Sequence, residues 1–503
     1  MTGARPPHSP IWARALALNA LSDPRFVPIA IALLFAALAT RAVSEPFGDQ
    51  DAGWLAATGR SMLETLAVPR TNGFAITDAA VPWVVHEWAL APLYAVAMAR
   101  LGLAGPVCLG LVAGAITTTL LATATVGRSQ RLAVGALTCI VSIALARECL
   151  FEPRPAYLVL GAPIAMLLLT NTATFSVAHG AACIALALAW ANVHGSFPLG
   201  LGVLALGAWA HPIDRARRAA VFAAACASTL VTPYGVDLLA LVGRYVGGGD
   251  PASAAIHAHI AEFQPLWAAG PVFGGPTRVL GVALVAGLGV VGARRGERAA
   301  RCAAIAAVVL AGLAVVHARH VPQAVTLGAA LLVPTIDRLL ATVPLEEPAF
   351  DVRRALRRIA IAIAITASIA IAITCARGVH ADEPLGGDAL PSLARDPRVA
   401  HANAYVAFDA SGRFLWLAPD AHVLFDPRND CYRGETALIA YAIEEGDCTG
   451  RCLDDALLSH DVEVALVPEG HPTLASLRAS SRYEEVRTEG AWHLFATRSD
   501  VRR

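Results

Sequence analysis

The sequence predicts a polytopic α-helical membrane protein with about eleven spans and a small α/β domain at its C-terminal end. Three observations carry that reading. Of the 503 residues, 56% are hydrophobic and only 16% charged, with a mean hydropathy of +0.56. Soluble globular chains sit near about 45–50% apolar and about 25% charged. Apolar runs able to cross, or nearly cross, a hydrocarbon core of roughly 30 Å recur throughout residues 26–375. The net charge is zero, yet the first three quarters are basic, and from Arg377 onward acidic residues outnumber the arginines. That shift divides a membrane region, 26–375, from a water-soluble domain, 376–503.

The first run, 26–43, follows a cytoplasmic segment, 1–25. It is longer than a signal-peptide core and lacks a clear small-residue cleavage site. Further runs cover 105–127, 132–147, 156–171, 178–193, 196–210, 219–232, 277–292, 300–316, 321–340 and 358–375. The apolar stretch from Ala178 to Ala210 is too long for one span. It breaks at Asn192-Val-His194-Gly195-Ser196-Phe197-Pro198, which suits a tight hairpin between two helices. Arginines in alternate loops set the orientation. Arg5, Arg14 and Arg25 precede the first span. Arg128 and Arg131, then Arg215, Arg217 and Arg218, then Arg294, Arg295, Arg298 and Arg301, and last Arg353, Arg354, Arg357 and Arg358 fall on the same side. Eleven spans then leave the N-terminus cytoplasmic and the C-terminal domain outside, as in a multi-pass protein of a bacterial cytoplasmic membrane. Loops 44–104 and 236–276 lie outside. Residues 84–101 read as a helix along the interface, anchored by Trp83, Trp88 and Tyr94.

Beyond Ala376 the pattern changes period. Val462–Pro468 and Ala491–Thr497 read as strands, Val423–Phe425 as a third, and 434–445 and 451–460 as short helices. Cys108, Cys139, Cys183, Cys226 and Cys302 lie in apolar runs and act as small hydrophobes. No CxxC pair has a matching partner, so a structural zinc site has no support.

Ionisable groups beside a membrane are candidates for chemistry, because losing water makes them costly. The densest set lies in the first outer loop: Asp49, Asp51, His86 and Glu87. Asp49 and Asp51 form an Asp-x-Asp pair. Two carboxylates at that spacing can hold a divalent cation, Mg or Mn, against a phosphate, or one can serve as general base. The alternative is a pair of loop acids solvated at the membrane edge. Arg154, Asn192, His194, Glu262, Arg319 and His320 sit where later spans emerge on the same face. Singly, each reads as a helix cap or a snorkelling side chain. Together they describe a cleft suited to a lipid-linked phosphate, with arginines on the phosphate and a carboxylate taking a proton from an acceptor hydroxyl.

Asp51-x-x-Trp54, Thr58-Gly59-Arg60, Val68-Pro-Arg-Thr71, Pro82-Trp83 and His86-Glu87-Trp88 resemble the first outer loop of a family of bacterial membrane proteins. That family is grouped with the C-type glycosyltransferases, multi-spanning enzymes that use polyprenyl-phosphate sugars. Trp190-x-Asn192-x-His194-Gly195-Ser196-Phe197, Pro233-Tyr234-Gly235, Glu262-Phe263-Gln264-Pro265 and Leu424-Phe425-Asp426-Pro427-Arg428 with Tyr432 continue the resemblance along the chain. Pro427 stands where the family has Gly, Thr232 where it often has Asn, and a Trp- and Gly-rich motif expected near Ala404 is largely missing. The resemblance implies an acidic catalytic base or metal ligand in the first outer loop, which falls on Asp49 or Asp51. It also implies a polyprenyl-phosphate sugar donor, membrane lipid as surroundings, and a glycan, lipid or protein acceptor; no nucleic-acid partner is expected. Two other functions fit the composition. A transporter or flippase would show an internal repeat and charges at mid-membrane, and neither is seen; a non-catalytic scaffold with a partner-binding outer domain stays open.

The outer domain also holds Cys431, Cys448 and Cys452. An oxidising compartment lets disulfides persist, and Cys448-Thr-Gly-Arg-Cys452 is short enough to bring two Cα atoms within the roughly 4.4–6.8 Å of a disulfide. The sequence favours Cys448–Cys452 over Cys431–Cys448.

Overall fold

The computed structural model describes residues 21–44, 51–247, 256–270, 274–343, 351–378 and 389–498. The principal helices up to Gly378 are α1 (Phe26–Ser44), α2 (Asp51–Thr65), α3 (Ala91–Leu101), α4 (Ala104–Thr125) and α5 (Leu132–Leu145), then α6 (Pro155–Leu158), α7 (Ala162–Thr170), α8 (Val177–Val193), α9 (Pro198–Ala210) and α10 (Arg215–Ser228), and finally α11 (Val236–Gly247), α12 (Pro276–Arg295), α13 (Arg298–Val316), α14 (Val321–Leu339) and α15 (Val352–Gly378). The apolar runs read from the sequence are helical over most of their length, but 156–171 is broken at 159–161 into α6 and α7, and the run 219–232 leaves the helix after Ser228. Among the described residues, five helices are long and apolar enough to cross a membrane: α1, α4, α12, α13 and α15. α1 and α4 grip α15, while α12, α13 and α14 pack together and α14 lies on α5. Prolines open α7, α9, α12 and α14, where the missing N–H is one that a helix start leaves unpaired anyway. The α8–α9 hairpin turns at His194–Phe197. Gly200 lets the Trp190 ring lie against the helix, since a Cβ there would meet Trp190 Cζ3 at 2.5 Å.

The C-terminal region comprises α16 (Leu390–Ala394), β1 (Asn403–Val406), α17 (Phe408–Leu417), β2 (His422–Val423), α18 (Gly434–Glu444), α19 (Arg451–Ser459), β3 (Val464–Pro468), α20 (Leu474–Ala479), β4 (Tyr483–Glu489) and β5 (Trp492–Thr497). The strands form one mixed sheet in the order β2-β1-β3-β5-β4. β2, β1 and β3 run parallel, and β5 and β4 pair antiparallel. The third expected strand is confined to His422–Val423, although Leu424 N–H still donates to the Ala404 carbonyl of β1 at 2.9 Å. Cys448 and Cys452 are joined as a disulfide with Cα atoms 5.3 Å apart, and Cys431 is a free buried thiol.

The first loop and the C-terminal region share one apolar core, which holds Trp54, Trp83 and Tyr94 together with Tyr405, Phe414 and Phe425. Residues 74–76 extend the sheet edge: Val423 N–H donates to the Phe74 carbonyl at 2.9 Å, and Ile76 N–H to the Val423 carbonyl at 3.1 Å. The expected interfacial helix over 84–101 begins only at Ala91. Trp83 and Tyr94 are buried within the protein, since a shared core offers their rings more contact than a membrane surface.

Candidate active site

Asp51 opens α2, and two glycines fix where that helix lies. A Cβ on Gly59 would sit 1.9 Å from the Ala91 carbonyl, and one on Gly53 2.5 Å from the Gly412 and Arg413 backbone. α2 therefore packs backbone to backbone against both α3 and α17. Arg60 reinforces the second contact by donating to the Leu415 and Trp416 carbonyls.

Asp51 Oδ1 accepts the Trp54 indole N–H at 3.1 Å, and Oδ2 lies 3.3 Å from Arg154 Nε. Arg154 Nη1 donates to Glu262 Oε2 at 2.6 Å, and Glu262 Oε1 lies 3.8 Å from Arg319 Nη1. Four charged groups from four separated segments thus form one chain, acid–base–acid–base. Glu262 is positioned by its loop: His317 Nδ1 donates to the Phe263 carbonyl at 2.6 Å, and Ala318 N–H to the Gln264 carbonyl at 3.0 Å. The Arg319 guanidinium lies over the Phe263 ring at 4.5 Å. His320 follows it at the start of α14.

Beside this chain, His86 Nε2 donates to Glu87 Oε1 at 2.6 Å, with His194 Nε2 4.0 Å from the same oxygen. These three residues offer ligand atoms all within 4.8 Å of one another. When His194 Nδ1 accepts the Ser196 backbone N–H at 3.0 Å, the neutral ring's proton sits on Nε2, the nitrogen facing Glu87. A metal-ligating histidine normally donates its second ring N–H outward. In the other tautomer His194 Nδ1–H donates outward to Ser196 Oγ, 2.8 Å away, and frees Nε2, so the trio offers a divalent cation three ligand atoms. Asp49, the other half of the Asp-x-Asp pair, lies outside the described residues, and Asp51 faces Arg154.

Electrostatics separate the carboxylates. Burial raises the Asp51 pKa, an effect that Arg154 and the Trp54 hydrogen bond only partly offset. Burial works the same way on Glu262, but Arg319, Arg154 and His320 outweigh it and hold Glu262 below the usual range. Burial would lower the His86 pKa, but the adjoining Glu87 carboxylate raises it overall. Burial, then His86 and the arginines, push His194 well below its ordinary value, and His320 falls to about 4 for like reasons.

Two sequence candidates do other work. Asn192 is fully engaged: its oxygen accepts the Trp88 indole N–H at 2.9 Å, and its amide donates to the Leu188 and Val231 carbonyls. It ties the hairpin to the first loop. The Asp426-Pro-Arg428 motif is a buried clamp, in which Arg428 binds Asp426 and lies over the Phe74 and Trp83 rings. One acid, Asp430, escaped sequence reasoning, while Glu152 lies two residues before Arg154 in the sequence. Burial lifts Asp430 to about 6 beside His86 and Glu87, and it raises Glu152 within the field of Arg154 and Asp51. Asp430 lies two residues past Arg428, in a C-terminal stretch with no membrane cost to single it out.

No family model and no curated protein matches the sequence. Solved structures do match its fold. ArnT from Cupriavidus metallidurans bound to undecaprenyl phosphate aligns over 93% of this chain and 98% of its own, with 16% identity and a TM-score of 0.51. The archaeal oligosaccharyltransferase AglB from Archaeoglobus fulgidus, in complex with an inhibitory peptide and a dolichol-phosphate, aligns over 88% of this chain and 69% of its own, with 11% identity and a TM-score of 0.52. The fold of the chain is the C-type glycosyltransferase fold that the sequence resemblance implies.

Proposed function

We propose that this chain, built on the C-type glycosyltransferase fold, moves a sugar from a polyprenyl-phosphate carrier to an acceptor on the outer face of a bacterial cytoplasmic membrane. The observation that carries the reading is the Asp51–Arg154–Glu262–Arg319 chain, which puts one carboxylate of raised proton affinity beside Arg154 and links it through Glu262 to Arg319. ArnT and AglB are solved with a polyprenyl-type phosphate bound, and this arrangement suits the same chemical class. The arginines bind the donor phosphate through charge-assisted hydrogen bonds. The acceptor hydroxyl attacks the anomeric carbon while Asp51 takes its proton. The bond from that carbon to the phosphate oxygen breaks, and the carrier phosphate leaves with the electron pair, stabilised by Arg154 and Arg319. Glu262 holds the arginines in place before the phosphate arrives.

The arginine-rich loops support a cytoplasmic N-terminus, eleven spans, and a C-terminal domain that covers the site from outside. Mass spectrometry of lipids, glycans and envelope proteins tests the activity in cells carrying the native chain, Asp51→Asn, or neither. A glycosyl mass increment present only with the native chain is the expected outcome. Persistence of that increment with Asp51→Asn, at equal protein abundance, would sink the proposal.

A further inference from the structure

At the opposite end of the helices from Asp51, a cavity of about 380 Å³ opens among the ends of α4, α7, α9, α13 and α14. Its floor is apolar, with Leu167, Leu206 and Leu331, and its rim carries Arg128, His211 and Glu297. Arg128 is held there for a structural reason. Pro334 interrupts α14 and has no N–H for the carbonyl four residues earlier. Arg128 Nη1 fills that gap by donating to the Ala330 carbonyl at 2.9 Å. Its Nε and Nη2 lie 3.1 and 3.2 Å from the Asn171 amide oxygen, taken in its hydrogen-bonded orientation.

Those partners are neutral dipoles. Among the described residues no carboxylate pairs with Arg128, and burial alone pushes it down to about 10. His211 on the same rim is depressed by burial, and further by Arg218 and Arg128. Arg154 and Arg428, by contrast, each meet a carboxylate. A recessed, uncompensated cation is costly, and an anion relieves the cost. Trp209, half exposed next to the cavity, accepts a bond from Arg298 to its carbonyl at 3.2 Å. A half-exposed tryptophan at a helix end is the pattern of a membrane–water interface.

We propose that this cavity binds an anionic phospholipid, its phosphodiester on Arg128 and His211 and an acyl chain on the Leu167–Leu206–Leu331 floor. Basic pockets between membrane helices on the cytoplasmic side bind anionic headgroups in this way. The apolar floor selects a lipid over a free phosphate. Such a lipid links the α4–α5 turn to the ends of α7, α9 and α14, independently of the chemistry around Asp51.

The test uses the purified full chain in detergent, with lipid retention read by native mass spectrometry and protection by thermal unfolding. Phosphatidylglycerol, phosphatidylcholine and water-soluble glycerophosphoglycerol are compared. Phosphatidylglycerol should be retained and protective, and Arg128→Gln should weaken its retention about tenfold, the loss of one charge-assisted hydrogen bond. Leu206→Trp fills the floor while leaving Arg128's bonds to Ala330 and Asn171 intact, and should weaken it similarly. Equal retention of both lipids, equal protection by the headgroup alone, or undiminished phosphatidylglycerol retention by either folded variant overturns the assignment.

Discussion

At the residue scale, Asp51 and Glu262 are two carboxylates near one arginine whose surroundings push them in opposite directions. Such a separation assigns acid–base roles. Glu262, below the usual range between Arg154 and Arg319, stays ionised and serves as a brace. Asp51, raised by burial, is the better proton acceptor. A base works only when deprotonated, so kcat/KM should fall on acidification around an apparent pKa above the ordinary aspartate value of 3.8. The same shift has a stability consequence. With the folded pKa above the unfolded one, Asp51's contribution is most favourable at low pH and is lost as pH rises through the folded pKa. Asp51→Asn should therefore cut the rate by about 10²–10⁴-fold and leave Tm at neutral pH unchanged or raised. A variant that loses rate and Tm together would mark Asp51 as a structural residue instead.

At the element scale, α2 is the part on which the site depends, because it carries Asp51 and is wedged between α3 and α17. Its glycines allow that approach, and the obstacle to a side chain at Gly59 is backbone, which has little freedom to yield. Gly59→Ala should destabilise the protein by about 1–3 kcal/mol through overpacking and lower activity by displacing Asp51. Thermal unfolding and turnover check the two halves separately. Normal stability with normal turnover would show that α2 can shift without disturbing the site. The first loop's bond to the sheet edge, Val423 to Phe74, makes the C-terminal region part of the same support. This explains why the loop's tryptophans are buried and do not anchor a surface helix.

At the scale of the whole molecule, the candidate site and the Arg128 cavity occupy opposite ends of the helices, so the proposed chemistry and the proposed lipid contact belong to opposite faces of the membrane. The orientation predicts which face is which. A thiol probe unable to cross the membrane should label single cysteines placed at the exposed positions 63–67 or on exposed positions of 389–498, and should not label positions beside Arg215 or Arg295. Labelling in the reverse pattern would invert the protein and place the proposed chemistry on the cytoplasmic side.

What the sequence determined by itself was set by local terms. Burying a peptide group in hydrocarbon requires a helix, so apolar runs announced every helix from α1 to α15 that they cover, and ionisable residues at their ends announced Asp51, Arg154, Glu262 and Arg319 as candidates. The short Cys448–Cys452 spacing likewise disclosed its disulfide. β1 and β4 were not legible. Asn403–Val406 is too short to show alternation, and Tyr483–Glu489 carries the charges that protect an edge strand and so reads as polar loop. Only the tertiary structure decided which candidates face one another. It made Asn192 and Arg60 braces, paired Glu262 with two arginines, and brought Asp430 to His86 from more than three hundred residues away. Those outcomes rest on long-range packing and on the field of neighbouring charges, which depend on distances in space that no single segment encodes.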